Sequence, residues 1–273
     1  MSAFSLTVDN IDPTAEIDET DAVDVCGSPS FIAHAGEDVD FSGRSTDPGS
    51  DDLFLSWDWD DGPPSPDVTT DYLVNNPVPG PDPLPSPEVE ARDVTDDKTH
   101  AFADACYYNV GFLADDDDGG HGEDDTDVVI VGNADLMRSA GYWRHQYRGR
   151  GRIHFSPEEL QCYLDIVGHM STFFNEEVDV STLEAAEDVL NPAGSRGDIR
   201  VQFDRQLLAV WLNFANGAIE YSELVDTDFD LVPDTELVTF LCAAEAARLN
   251  PATTDSELEG LKNLLEAINL LDD

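Results

Sequence analysis

Phe41-Ser-Gly-Arg-Ser-Thr-Asp47-Pro-Gly-Ser-Asp51-Asp52-Leu-Phe-Leu-Ser-Trp57-Asp58-Trp59-Asp60-Asp61-Gly62 decides the reading of this 273-residue chain. Apolar residues alternate through 53–59, the period of a strand with one buried face, and the Asp, Pro and Gly residues before and after it are turn formers. Further short alternating runs lie at 3–8, 38–41, 108–114 and 127–131, each bounded by Gly, Pro or Asp clusters. Runs of that length and spacing predict an all-β sandwich in the amino-terminal half.

The same stretch resembles the signature of PKD-type (polycystic-kidney-disease) repeats. Tyr108-Asn-Val110-Gly-Phe112-Leu-Ala114, running into residues 115–120 with their Asp-Asp-Gly-Gly turn, resembles that family's later strand. The resemblance implies an immunoglobulin-like sandwich of extracellular modules, adhesive or spacing in role and in some members stabilised by Ca²⁺. It makes Trp57 or Trp59 the core aromatic of a central strand and packs Tyr108 near Cys106. Phe4-Ser-Leu-Thr-Val-Asp-Asn-Ile-Asp-Pro-Thr-Ala15 resembles the last strand of one repeat entering the next. Residues 63–87 depart from the family, for they hold nine of the chain's sixteen prolines. Proline at that density suits extended backbone outside a central sheet, so an exposed insertion is expected, either binding or idle.

After residue 155 the period changes. Ser156-Pro157-Glu158-Glu159 offers an N-cap, a proline at the first helical position and a capping-box glutamate, and Leu160, Tyr163, Leu164, Val167 and Phe174 follow at helical spacing. A helix is expected from about 157 to 174. Others are expected after Ser181, over 201–216 with Gly217 as its stop, near 235–249 and over 255–271, five or six in all. The expected organisation is a terminal strand over 1–9, a sandwich over 10–134 with its insertion at 63–87, a basic and aromatic junction over 135–155, and an all-α domain over 156–273. Residues 141–152 and 207–217 resemble a helical module at the C-termini of secreted bacterial and archaeal proteins, with no activity implied.

Fifty-nine Asp and Glu face thirteen Lys and Arg, a net charge of −46. Residues 1–134 carry 27 Asp, 6 Glu and 3 basic residues (−30), and residues 135–273 carry 13 Asp, 13 Glu and 10 basic residues (−16). Such a surface repels nucleic acid and anionic lipid and attracts cations. Aspartate suits turns and glutamate suits helix faces, so the shift also follows from a change of β to α. Life in high salt, where dense carboxylates keep a surface hydrated, is a further source of such acidity.

The sharpest candidate metal loop is Asp226-Thr-Asp228-Phe-Asp230-Leu-Val232-Pro-Asp234. Carboxylates at alternate positions can converge on one Ca²⁺, which takes six to eight oxygens in irregular geometry. The loop resembles those of dockerins, thrombospondin type 3 repeats and EF-hands. That resemblance gives side-chain ligands to Asp226, Asp228 and Asp230, a carbonyl to Val232 and a direct or water-bridged oxygen to Asp234. Leu231 stands where the EF-hand has its turn glycine, and Leu237 where it has its bidentate glutamate, with Glu236 one place off, so weak affinity is expected. A helix-capping acidic loop is the other reading. Asp47, Asp51, Asp58 and Asp60 are second candidates for Ca²⁺.

Four cysteines, 26, 106, 162 and 242, fall two to each half. One disulfide per domain, Cys26–Cys106 and Cys162–Cys242, suits an oxidising compartment, with buried free thiols as the alternative. Arg138, Arg144, Arg148, Arg150 and Arg152 lie among Tyr142, Trp143, His145 and Tyr147. In so acidic a chain these arginines are expected to pair with carboxylates, and Trp143, Tyr147, Arg148 and Arg150 are candidate binding residues.

The sequence has no nucleophile elbow, His-Glu-x-x-His motif, phosphate loop or nucleotide fingerprint, and forty aspartates make chance carboxylate pairs common. The function expected is a non-catalytic, Ca²⁺-associated structural, adhesive or assembly module of a secreted or cell-surface protein. Its partners would be other domains or copies of the parent, in a homo-oligomer or filament, or a carbohydrate or protein surface. The alternatives are an accessory segment of a secreted hydrolase, and a salt-adapted module without specific metal. No run approaches the roughly 18–20 apolar residues of a membrane span, and an export signal would lie outside this chain.

Overall fold

A computed structural model describes residues 10–49, 51–73, 91–195 and 197–271. Its order is multi-sheet β followed by helices, in two compact units. The expected strand at 3–8 and residues 74–87 of the proline-rich insertion lie outside the described residues.

The first unit takes the described residues up to Asp21 together with Asp38–His100 and Tyr108–Val128. One of its sheets has the order β1 (Thr14–Ile17), β4 (Asp38–Asp47), β7 (Arg92–Ala101). The other runs β9 (His121–Val131), β8 (Tyr107–Asp116), β5 (Leu53–Asp58), β6 (Val68–Tyr72). β5 is antiparallel to both neighbours, with Trp57 opposite Val68 on one side and Phe112 on the other. The sheets meet through Phe41 on β4, whose ring lies 5.8 Å from Trp57 and 5.3 Å from Trp59. Both tryptophans are buried and stacked on each other at 5.5 Å, so both serve as core aromatics. Gly43 permits this approach, for a Cβ there would lie 2.6–2.7 Å from the Phe112 and Trp57 rings. β6 corrects the reading of 63–87 as an insertion throughout, because Val68-Thr-Thr-Asp-Tyr72 holds no proline and its amides pair with β5.

The second unit takes Ala22–Glu37, Ala101–Tyr107 and the chain from Val129 on. It thus departs from the expected boundaries at 134 and 156, and it begins with strands. β2 (Val23–Val25) and β3 (Ser28–His34) form a hairpin whose two-residue turn, Cys26-Gly27, has φ of 54° and 97°. That is the left-handed pair a tight hairpin needs. The last residues of β9 continue here beside β3, with the Ala35 amide donating to the Val131 carbonyl at 2.9 Å.

Seven helices follow among the described residues: α1 (Ala140–Tyr147), α2 (Pro157–Met170), α3 (Thr172–Glu176), α4 (Leu183–Leu190), α5 (Ile199–Ala215), α6 (Leu237–Leu249) and α7 (Asp255–Ile268). A two-strand ladder, β10 (Leu224–Val225) with β11 (Thr235–Glu236), precedes α6. α2 starts with the full capping box but stops four residues early, because Ser171 leaves helical geometry and caps α3 through the Phe174 amide. α5 is the central helix, buried on nearly every side. Val25, Val129 and Val131 join Trp143, Trp211 and the helical leucines in one core. No described helix is long and apolar enough to cross a membrane.

The disulfides correct the expected pairing. Cys26 joins Cys242, and Cys106 joins Cys162, with Cα separations of 5.3 and 4.5 Å. Cys26 and Cys106 lie in the β segments that belong to the helical unit, so their partners are helical cysteines rather than each other.

Candidate cation site

In β4 and β8 alternate residues face inward: Val39, Phe41, Ser45 and Asp47 on one, Tyr108, Val110, Phe112, Ala114 and Asp116 on the other. The inward period therefore ends on an aspartate in both strands. Asp47 is 2% exposed and Asp116 6%, and with Asp51 they place carboxylate oxygens within 4.8 Å of one another.

The cluster is built, not merely crowded. Asp116 Oδ1 accepts the backbone amides of Asp118 (2.9 Å) and Gly120 (2.6 Å), and its Oδ2 accepts Asn10 Nδ2 (2.8 Å). Asp47 Oδ1 accepts the Gly49 amide at 2.5 Å, whereas Asp47 Oδ2 is buried with no hydrogen-bond partner. A Cβ on Gly49 would collide with Asp51 Oδ2, and one on Gly120 with Asp116 Oδ2, so two glycines keep the cradle open. Burial, then the charges of Asp47, Asp116, Asp117 and Asp118, push Asp51 up to about 6. Burial also raises Asp47, against the pull of the Gly49 amide.

An uncompensated buried carboxylate oxygen costs several kcal/mol unless a proton or cation meets it. The donor set is all hard oxygen, at irregular positions on two strand ends and a loop, which suits Ca²⁺ better than the octahedral demands of Mg²⁺. The residues present fit a Ca²⁺ ion, which Asp47, Asp51 and Asp116 would hold.

Asp58 and Asp60 do not join them. Asp58 bonds Ser65 and accepts the Asp60 amide, while Asp60 accepts the Asn109 amide at 3.2 Å. Asp58 shapes its own turn, and Asp60 ties that turn to β8. The loop at 226–234 does gather Asp226, Asp228 and Asp230 within 4.8 Å, exposed or partly so. Asp226 accepts the amides of Asp228, Phe229 and Leu231, Asp228 that of Asp230, and Asp230 that of Val232. Leu231, at the glycine position of the resemblance, has the left-handed φ of 70°. Asp234 turns away to the amide and hydroxyl of Thr227 and the hydroxyl of Thr235, contacts that hold it below the usual carboxylate range. It is thus separated from the three-aspartate group.

Trp143 and Tyr147 are not surface-binding residues. α1 buries both, with Trp143 Nε1 donating to Asn213 Oδ1 at 3.1 Å and the Tyr147 hydroxyl to the Leu160 carbonyl at 3.1 Å. Arg148 and Arg150 are exposed. The expected pairing holds for Arg144, 3.6 Å from Glu187, but among the described residues Arg148, Arg150 and Arg152 form no ion pair.

No protein-family model and no curated protein matches this chain. Among solved structures it is similar to the PKD domain of an M14-like peptidase from Thermoplasmatales archaeon SCGC AB-540-F20, at 15% identity and a TM-score of 0.29, over 45% of this chain and 98% of that one. It is also similar to a family 123 glycoside hydrolase from Clostridium perfringens, at 11% identity and a TM-score of 0.26, over 58% of this chain and 34% of that one.

Sequence reasoning missed Asp116, Asn10, Gly49 and Gly120. The signal was present in the strand period, which carries an aspartate onto the buried face at 47 and again at 116.

Proposed function

We propose that this chain is a non-catalytic, Ca²⁺-associated module of a larger secreted or cell-surface protein, with a role in adhesion, spacing or assembly. The observation that carries the reading is Asp47 Oδ2, buried without a partner beside Asp51 and Asp116. A Ca²⁺ ion there would tie the ends of β4 and β8 to the turn after β4. Two disulfides within one unit favour an oxidising compartment, where such modules work.

The test is thermal unfolding with Ca²⁺ or EGTA at fixed ionic strength. A cation bound only by the folded state adds RT ln(1 + [L]/Kd), about 2.7 kcal/mol at a hundredfold excess over Kd. Ca²⁺ should raise Tm by several degrees in the native chain and not in Asp47→Asn with Asp51→Asn. Melting that follows total salt alone, with no separate Ca²⁺ effect, would sink the metal reading and leave salt adaptation as the source of the acidity.

A further inference from the structure

The loop at 226–234 has an apolar tip as well as carboxylates. Phe229, Leu231 and Val232 are 57%, 90% and 60% exposed. Their display is fixed rather than loose. The Asp226 carboxylate takes three backbone amides of the loop, and β10 pairs with β11 across its base, with Val225 buried beneath. Phe229 and Leu231 both hold left-handed φ, of 64° and 70°, a conformation strained for a residue that bears a side chain. The fold sustains that strain and leaves three large apolar side chains in water.

A complementary surface lies on the same unit. Arg148-Gly149-Arg150-Gly151-Arg152-Ile153 closes α1, with Gly149 and Gly151 at positive φ. Buried Gln146 pins it, donating to the Arg152 carbonyl at 3.2 Å and accepting the His154 amide at 2.8 Å. Three guanidinium groups at alternate positions stand exposed without an ion pair among the described residues, next to Ile153 at 41% exposure. In a chain with 59 carboxylates and 13 basic residues, three unneutralised arginines in five positions are out of proportion. Asp226, Asp228 and Asp230 repeat the same alternate spacing with the opposite charge.

We infer that copies of this chain associate head to tail, the acidic apolar loop of one docking on the arginine turn of the next. This names a partner for the assembly role proposed above, and it needs no ion at Asp47. The two patches differ, so the contact is heterologous, and repetition gives a ring or an open filament. Charge complementarity sets register and the apolar tips supply the burial. A polyanion is the weaker occupant for the turn, because the field of the whole chain opposes it.

The test is sedimentation velocity over a concentration series in EGTA, at about 0.15 M salt, where a Debye length of about 8 Å screens the net repulsion between copies. The native chain should show a sedimentation coefficient that rises with concentration. Phe229→Asn with Leu231→Asn, which suits the left-handed backbone, should weaken association at least tenfold without lowering Tm. Asp228→Arg with Asp230→Arg, and Arg148→Asp with Arg150→Asp, should each be monomeric alone and assemble again in alternation when mixed. A native chain that stays monomeric throughout would overturn the inference. So would association indifferent to these changes, or a turn that binds heparin while the chain remains monomeric. Because EGTA is present throughout, failure here is independent of the Ca²⁺ result.

Discussion

Cys26, in the turn of the β2–β3 hairpin, is bonded to Cys242 on α6 across 216 residues of sequence. Cys106 and Cys162 close a loop of 56 residues inside that span. Loop-closure entropy assigns about 5 kcal/mol to a cross-link of the longer span when it stands alone, and less once the inner one has shortened the free chain. Cys26→Ser with Cys242→Ser should therefore lower the stability of the helical unit by about 2–5 kcal/mol in urea unfolding. Non-reducing peptide mapping should recover Cys26 with Cys242 and Cys106 with Cys162. Recovery of Cys26 with Cys106 would refute the arrangement.

Glu245 on α6 is a second fastening of the helical unit. It is buried, and its carboxylate accepts the Ser171 hydroxyl at 2.6 Å, Trp211 Nε1 at 2.7 Å and the Phe173 amide at 3.2 Å. Burial raises its pKa against the pull of these donors. Three donors would lose their acceptor in Glu245→Leu, and each buried orphan costs about 1–3 kcal/mol. The expected loss is about 3–5 kcal/mol, with Glu245→Gln, which keeps one acceptor oxygen, losing less. Equal urea midpoints for native and Glu245→Leu would show that this network contributes nothing.

The sequence periods revealed β5, β8 and the long helices, because each buries one regular face. They hid the second unit's strands. The β2–β3 turn uses Cys26-Gly27, where only the glycine is an ordinary left-handed turn residue, so no Asn-Gly or Asp-Gly signal marks it. Without a hairpin signal the sequence assigns Cys26 to the sandwich, and pairing by halves follows from that. The group of Asp47, Asp51 and Asp116 was half legible: Asp47 and Asp51 stand in an obvious turn, but Asp116 is distinguished from Asp115, Asp117 and Asp118 only by the inward phase of β8. Trp143 and Tyr147 were misjudged because an eight-residue helix gives too few turns to show which face is buried.

In the first unit, Trp57 Nε1 donates to Asp96 Oδ2 at 2.9 Å, while Asp96 Oδ1 accepts Lys98 Nζ at 2.5 Å and the Tyr72 hydroxyl at 2.8 Å. Asp96 thereby joins β7 to β5 and to the edge strand β6. Asp96→Ala would strand a buried indole N–H and leave Lys98 without its partner. Removing one member of a buried pair costs about 3–5 kcal/mol, and partial exposure of Lys98 places this change toward the lower figure. Asp96→Asn keeps an acceptor for the indole and should recover much of the loss. Tryptophan fluorescence during unfolding reads both, and an unchanged midpoint in Asp96→Ala would dismiss this role.

Asp51 gives the proposed cation site a pH dependence in a defined direction. Burial and its neighbouring aspartates raise it from 3.8 to about 6 in the folded chain. A carboxyl raised on folding contributes stability fully below its unfolded value and loses it as pH rises through the folded one. In EGTA the first unit should thus lose stability between about pH 4 and 6 from this group. A bound Ca²⁺ takes the proton's place, so binding releases a proton near pH 6 and affinity weakens up to tenfold per pH unit below it. The Ca²⁺-induced rise in Tm should be large at pH 7.5 and much reduced at pH 5. Asp51→Asn should shrink both the decline in EGTA and the pH dependence of any remaining Ca²⁺ response, leaving the share of Asp47, which burial also raises. An equal Ca²⁺ effect at the two pH values in the native chain would remove Asp51 from the site.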